Sequence, residues 1–131
     1  MPRNTDHQAL VYACSGCSNA AQLANHLAVR LDRDGIAEMS CIAGIGGRVP
    51  SLIRKAEAAA SCGRKIVAID GCALSCAKAS LTQLGIATQL HVQLATLGVR
   101  KAYRTDFDPN QARDLLQDLT RQLQAVDTDD S

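Results

Sequence analysis

The sequence predicts an α/β fold, with a parallel sheet between two layers of helices. Short apolar runs of strand length alternate along the chain with longer segments whose apolar residues recur every three or four positions. Glycines or clusters of polar residues separate these segments, as expected for turns. Because parallel strands are joined by crossover connections, usually helices, the alternation indicates repeated strand–helix units.

The first unit combines a strand, a turn that carries two thiols, and a helix. The apolar run from Ala9 to Ala13 has the composition of a buried strand, and the turn after it contains Cys14 and Cys17. Ser18 or Asn19 is suited to cap the helix that follows. The apolar positions of that helix have the spacing of a single face: they are Ala20, Leu23, Ala24, Leu27, Ala28 and Leu31.

The second unit repeats this pattern. We expect a strand over residues 37–43, with Cys41 near its end, followed by a glycine-rich turn at residues 44–47. This turn either lets strand and helix pack closely or offers free backbone amides to an anionic group. Pro50 is suited to the first position of a helix, which we expect to end near Ser61.

The third unit contains the most apolar run of the chain. The run from Ile66 to Ile69 predicts a strand that is buried on both faces, and it ends at Asp70 and Gly71. We expect a helix from about Cys72 to Leu84, which would place Cys72 and Cys76 on one side of its first turn. Its inward side is expected to carry Ala73, Leu74, Ala77, Leu81 and Leu84.

The last part of the chain predicts an edge strand and a long helix. In residues 88–94 apolar and polar residues alternate, which is typical of a strand with one wet face. Asp108 and Pro109 begin a helix whose apolar stripe reaches Val126. The complete pattern predicts a three-layer α/β/α sandwich, with a four-stranded, mostly parallel sheet in the flavodoxin- or Rossmann-like order 2-1-3-4.

The length of 131 residues and the even composition predict one cysteine-rich α/β domain over residues 1–131, with flexible tails at 1–8 and 127–131. The net charge is +1, and the aromatic residues are two tyrosines and one phenylalanine. Neither a basic surface nor a stacking platform is indicated, so we expect no nucleic acid and no membrane as partner. No signal-peptide core opens the sequence, which favours a cytoplasmic protein.

Five of the six cysteines lie at or just after the ends of predicted strands. Because the carboxyl ends of parallel strands meet at one edge of the sheet, where α/β proteins bind ligands, we expect these thiols to share one site. Clustered cysteines in a reducing compartment indicate metal binding or redox chemistry. The predicted metal ligands are Cys14, Cys17, Cys41, Cys72 and Cys76. No other cysteine lies at a spacing from Cys62 that is typical of metal ligands or redox pairs, and we expect Cys62 to be a small buried residue.

Zinc suits this set of donors, because it prefers about four thiolate or imidazole ligands. Five thiols exceed that number, so the sequence leaves open which four bind. Residues expected around the ligands are Asp70, Gly46, Gly47 and Lys78. Asp70 is suited to cap the helix that follows it, and we favour this structural role over the alternative, a role in proton transfer. His91 is expected to be packed or solvent-facing rather than a ligand.

Three segments carry a resemblance to a known family: VYACSGCSNAAQLANHLA, CIAGIGG and AIDGCALSCAKASL. They resemble the DGC-domain family, small bacterial and archaeal proteins named for an Asp-Gly-Cys triplet, and the resemblance covers roughly residues 9–103. It implies a zinc-binding function and places Cys14, Cys41, Cys72 and Cys76 on the cysteine positions of the family, with Cys17 matching as well. Ala73 is a departure, because the family has proline after the triplet.

The sequence therefore predicts a zinc-binding protein in a metal-binding or accessory role, with the metal ion as its partner and no catalytic residue assigned. Two alternatives use the same cysteines. A thiol–disulfide oxidoreductase would use Cys14 with Cys17, or Cys72 with Cys76, as an exchanging pair. An iron–sulfur protein would hold a cluster on the same thiolates.

Overall fold

The computed structural model describes the backbone of residues 7–129 and the side chains up to residue 124. It contains four strands: β1 (Ala9–Ala13), β2 (Ala37–Met39), β3 (Ile66–Asp70) and β4 (Leu90–Gln93). All neighbouring strands pair in parallel, in the order β2-β1-β3-β4. The predicted α/β class and the strand order are both confirmed.

Five helices and a short 3-10 turn connect the strands. The helices are α1 (Asn19–Arg33), α2 (Ile42–Gly46), α3 (Pro50–Ser61), α4 (Cys76–Gln83) and α5 (Pro109–Asp129), and the 3-10 turn spans Leu94–Leu97. Ser18 caps α1, because its hydroxyl accepts a hydrogen bond from the Ala21 amide at 3.1 Å. Within the described part of the chain, no helix combines the length and the apolar character that crossing a membrane requires.

The core has two halves, one on each face of the sheet. Alternate residues of β1 point to opposite faces, so Val11 joins a cluster with α1 and α5, whereas Leu10 and Tyr12 join a cluster with α2, α3 and α4. Every residue of β1 and β3 is buried, which accounts for their unbroken apolar runs.

Strand β2 is shorter than predicted. It ends at Met39, and the glycine-containing residues that follow form helix α2 instead of a turn. Gly44 allows this helix to pack tightly on α3, because a Cβ atom at Gly44 would lie 1.9 Å from the Leu52 side chain. The close-packing interpretation of the glycines is therefore the one that the structure supports at Gly44.

Helix α4 begins at Cys76, and the prediction that it begins at Cys72 is wrong. Ser75 adopts a left-handed conformation, with φ of 52°, which interrupts the chain before the helix. Residues 72–75 form a turn instead, and Leu74 is 71% exposed rather than directed inward.

Parts of both predicted tails belong to the described structure. Gln8 is buried, and its side-chain amide donates to the Gly35 carbonyl at 2.6 Å. Helix α5 continues through residues 127–129 of the predicted C-terminal tail. Residues 1–6 and 130–131 of the predicted tails lie outside the described residues.

Candidate thiol site

The loops after β1 and β3 meet at the carboxyl edge of the sheet, because these two strands are direct neighbours. The Cys14 amide donates to the Ile69 carbonyl at 3.0 Å and extends the ladder beyond β1. The Gly71 amide donates in turn to the Cys14 sulfur at 3.2 Å. The two loops that contain most of the thiols are therefore directly hydrogen-bonded to each other.

Four thiols line one cavity of about 170 Å³ between these loops. Cys14 and Cys17 come from the loop after β1, and Cys72 and Cys76 come from the turn and the helix after β3. Cys14 and Cys72 are half-buried, whereas Cys17 and Cys76 are exposed, and all four are free thiols. The exposed side chains of Leu74 and Tyr103 form part of the wall. We refer to this space as the thiol cavity.

Cys41 lines a different cavity. It is exposed, directly precedes α2, and faces a space of about 430 Å³ that is also lined by residues of α1. Ser15 is the residue that the two cavities share. The structure therefore places four of the five predicted ligands around the thiol cavity and the fifth next to it.

Cys62 differs from its prediction in its exposure to solvent. It is exposed at the end of α3, where its thiol donates to the Ala59 carbonyl at 3.5 Å. It lines neither of the two cavities, so its separation from the other cysteines agrees with the sequence, whereas its expected burial is wrong.

The thiol cavity has the donors that suit zinc, but they do not converge on one point. Four thiols satisfy the ligand number and the softness of the ion. Among residues 7–124, however, no group of three histidine, cysteine or acidic side chains is placed where it could hold a metal ion. The chemistry of the donors therefore fits zinc, whereas their arrangement in the structure does not form a metal site.

The thiols around the cavity have different surroundings. Burial raises the pKa of Cys14 above its ordinary value of 9.0, and nearby Asp70, Cys72 and Cys76 raise it further. The hydrogen bond from the Gly71 amide acts in the opposite direction but is outweighed. Cys14 is consequently a protonated thiol at neutral pH.

Cys72 has a cation beside it. The ammonium of Lys101 donates to the Cys72 sulfur at 3.7 Å and lies 5.3 Å from the centre of the Tyr103 ring. A hydrogen bond with Tyr103 and the charge of Cys72 raise the pKa of Lys101, so this amine stays protonated. Lys101 has no signal in the sequence, because it lies on a polar loop far along the chain and only the tertiary fold brings it to the thiols.

Asp70 fixes the backbone around the cavity. Its side chain is 1% exposed and accepts hydrogen bonds from the Ala77 amide at 2.7 Å and the Lys78 amide at 3.2 Å. The same carboxylate lies 2.9 Å from the Nε2 atom of His91 on β4. Asp70 thus provides the predicted helix cap, although the helix begins later than expected, and Lys78 contributes its amide to this contact.

Gly46 and Gly47 lie at the end of helix α2, away from the thiol cavity. The Gly47 amide donates to the Ala43 carbonyl at 2.8 Å, so it is used inside the α2 turn. Neither glycine lines the thiol cavity. The structure gives these glycines a place in α2 and its C-terminal cap, and the role beside the ligands remains a prediction.

Comparisons with known proteins agree with the motifs. The family model of the DGC domain matches residues 10–119. A relative from Pseudomonas aeruginosa, named Anaerobic and virulence modulator AnvM, is 52% identical over 114 residues, which cover 87% of this chain and 84% of the relative. No solved structure has significant similarity to the chain. The family match includes the sheet from Leu10 onward and both loops of the thiol cavity, and the chain belongs to the DGC-domain family.

Proposed function

We propose that this protein binds zinc through the thiolates of Cys14, Cys17, Cys72 and Cys76. The observation that supports the proposal is the thiol cavity itself, where two loops from distant parts of the chain present four free thiols to one small space. A cavity of this kind matches the number and type of ligands that zinc prefers. Cys41 lies outside the proposed set, because it lines the neighbouring cavity.

Binding has to bring the thiols together and ionise them. Metal ions bind thiolates, so zinc must displace the proton of Cys14, whose pKa is raised, and affinity should increase with pH. Four thiolates around one divalent ion leave a net negative charge, which the Lys101 ammonium beside Cys72 partly offsets. The exposed positions of Cys17 and Cys76 leave their side chains room to turn toward the ion.

We further propose that the role is regulatory. The relative is named a modulator, and we extend that description to this chain as part of the proposal. A metal bound at these two loops would also stiffen the exposed surface around Leu74 and Tyr103. A partner protein that contacts this surface would then respond to the metal content of the site.

Metal analysis tests the proposal. Protein purified without added metal should contain about one zinc per chain, as expected for a four-thiolate site. Serine at any of the four proposed ligands should weaken zinc binding at least about tenfold, since even changes around metal ligands have that effect. Affinity is measured by competition with a chromophoric chelator.

Two matched controls come from the same chain. Cys62→Ser and Cys41→Ser each remove an exposed thiol outside the thiol cavity and should leave zinc affinity unchanged. Protein that retains no metal and whose cavity thiols all react freely with a thiol reagent, before and after treatment with a chelator, contradicts zinc binding.

A second function is favoured by the contact between Lys101 and Cys72. A cation beside a sulfur is typical of thiols that take part in disulfide exchange, and further thiols line the same cavity. A thiol–disulfide oxidoreductase should show a reversible disulfide in a redox titration, with the pair identified by mass mapping. An iron–sulfur protein would instead be recognised by visible absorption after anaerobic purification.

A further inference from the structure

We propose that Cys72 is the thiol at which hydroperoxides oxidise this site, that Lys101 positions the peroxide, and that another thiol of the cavity captures the product as a disulfide. This inference deepens the proposed function by naming what regulates the site. Only the final step, the release of bound zinc, rests on the proposed zinc binding.

The contact between Lys101 and Cys72 distinguishes this thiol from its neighbours. Within the described residues, Cys72 is the cysteine whose sulfur accepts a hydrogen bond from a charged side chain, at 3.7 Å. The sulfur of Cys14, which is half-buried like Cys72, accepts instead from a backbone amide. Cys17 and Cys76 are exposed, and no charged side chain among residues 7–124 donates to either sulfur. Oxidation of thiols is selective for such an electropositive and partly accessible position.

The thiol cavity has room for a small oxidant. A volume of about 170 Å³ holds roughly five or six water molecules at ~30 Å³ each. Hydrogen peroxide or a small organic hydroperoxide therefore fits beside Cys72. An ammonium group has three N–H donors. Lys101 donates to the Cys72 sulfur and has further donors to bind a peroxide oxygen.

The oxidation step balances with the peroxide as the only oxidant. The Cys72 thiol releases its proton to the solvent, and its sulfur donates an electron pair to the terminal hydroxyl oxygen of the peroxide. An S–O bond forms while the O–O bond breaks. The other oxygen takes up a proton from the solvent and leaves as water or as an alcohol. Sulfur is oxidised by two electrons to a sulfenic acid, and the peroxide is reduced by two electrons.

Capture follows because other thiols line the same cavity. The sulfenic acid of Cys72 condenses with the thiol of Cys14, Cys17 or Cys76, forms an S–S bond and releases water. A disulfide removes two of the four proposed zinc ligands at once. A bound ion then loses half of its ligands, and reduction by cellular thiols restores the site.

Limited oxidation with hydrogen peroxide tests the proposal on metal-free protein. Mass mapping of the first disulfide should find Cys72 in it, and Cys72→Ser should leave the remaining cavity thiols reduced over the same time. Lys101→Met should slow thiol loss at least about threefold, the order expected for one exposed charged contact. Lys101→Arg keeps a cationic donor and should restore the rate to within about twofold.

The control is Lys78→Met, which removes a lysine charge near Cys76 without touching a sulfur and should oxidise like the wild-type protein. Lys101 is exposed, so its variants keep the fold, and circular dichroism verifies this. The proposal is overturned if Cys72→Ser forms disulfides as fast as the wild type, or if Lys101→Met is oxidised at the wild-type rate.

A zinc-loaded arm separates this inference from the proposed function. There, peroxide should release zinc to a chromophoric chelator in step with disulfide formation. If the wild-type protein binds no zinc but Cys72 is still oxidised first, metal binding fails and the peroxide reaction stands. If zinc binds but oxidation begins at other thiols, the metal site stands and the inference is wrong.

Discussion

Gly71 shows how a single residue allows the thiol cavity to form. A Cβ atom at this position would lie 2.6 Å from the carbonyl carbon and oxygen of Ala20 and 2.9 Å from the Ala21 nitrogen. These neighbours belong to the backbone of α1 and cannot turn aside as a flexible side chain would. The absence of a side chain at Gly71 therefore brings the end of β3 against the start of α1, where the two thiol loops meet.

We expect Gly71→Ala to destabilise the protein by about 1–3 kcal/mol, the usual effect of overpacking, and to increase the exposure of Cys14 as the loops separate. Urea denaturation and the rate of thiol labelling measure the two effects. Gly46→Ala is the matched control, because the nearest atom to a Cβ there is 3.9 Å away. Equal stability of the two variants would contradict the packing argument.

At this scale, the sequence could locate the thiols but not their surroundings. The apolar runs indicate where the strands end, so Cys14 and Cys72 could be assigned to the same edge of the sheet. Lys101 and the exposure of Leu74 depend on contacts between distant segments, which leave no periodic signal in the chain.

Among the secondary-structure elements, Glu38 joins the short edge strand β2 to the rest of the fold. One carboxylate oxygen lies 2.7 Å from the Lys55 ammonium on α3, and the other lies 2.9 Å from the Arg64 guanidinium, just before β3. Burial alone would raise the pKa of Glu38, but the hydrogen bonds and charges of Lys55 and Arg64 outweigh it and hold the pKa below its ordinary value of 4.5.

This lowered pKa predicts a pH dependence of stability. The folded state binds the Glu38 proton less tightly than the unfolded state, so the contribution is present above pH 4.5 and is lost as pH falls through the lowered pKa. Glu38→Gln should therefore be less stable than the wild type at neutral pH, and the difference should shrink in strongly acidic solution.

Urea denaturation at several pH values measures this difference. Glu57→Gln, an exposed change on α3, is the control and should have little effect at either pH. A constant gap between Glu38→Gln and the wild type across the pH range would show that the carboxylate charge contributes nothing.

The boundaries of elements were less predictable than their order. Helix α4 was expected to begin directly after Gly71, because the apolar pattern continues without a break. The actual start is set by Asp70, whose carboxylate binds the amides of Ala77 and Lys78, and by the left-handed Ser75. A hydrogen bond that reaches forward seven residues is not visible in hydrophobic periodicity.

For the whole molecule, Asp70 connects the center of the sheet to its surroundings. It ends β3, accepts from the amino end of α4 and contacts His91 on β4. The order of the sheet could be predicted because each unit repeats the same pattern. The division of five thiols between two cavities could not, since it depends on how α2 turns away after Cys41.

We expect Asp70→Ala to lower the free energy of unfolding by about 2–4 kcal/mol, because buried amides lose their acceptor, and to weaken zinc binding by loosening the turn that carries Cys72. Thermal unfolding and chelator competition measure these effects. Asp114→Ala, at a side chain that is 73% exposed, should change neither quantity. Wild-type stability in Asp70→Ala would mean that this carboxylate does not organise the site.

The central pairing of β1 with β3, in which Leu10 lies opposite Ile66, also has a consequence for biosynthesis. As the polypeptide leaves the ribosome, Cys14 and Cys17 emerge long before the second loop has been translated. Until then they have neither the neighbouring backbone nor the thiols of the second loop beside them, and closing so long a loop is slow. The nascent chain is therefore most vulnerable to incorrect disulfides before its third strand appears, and maturation in a reducing environment should improve the yield of correctly folded protein.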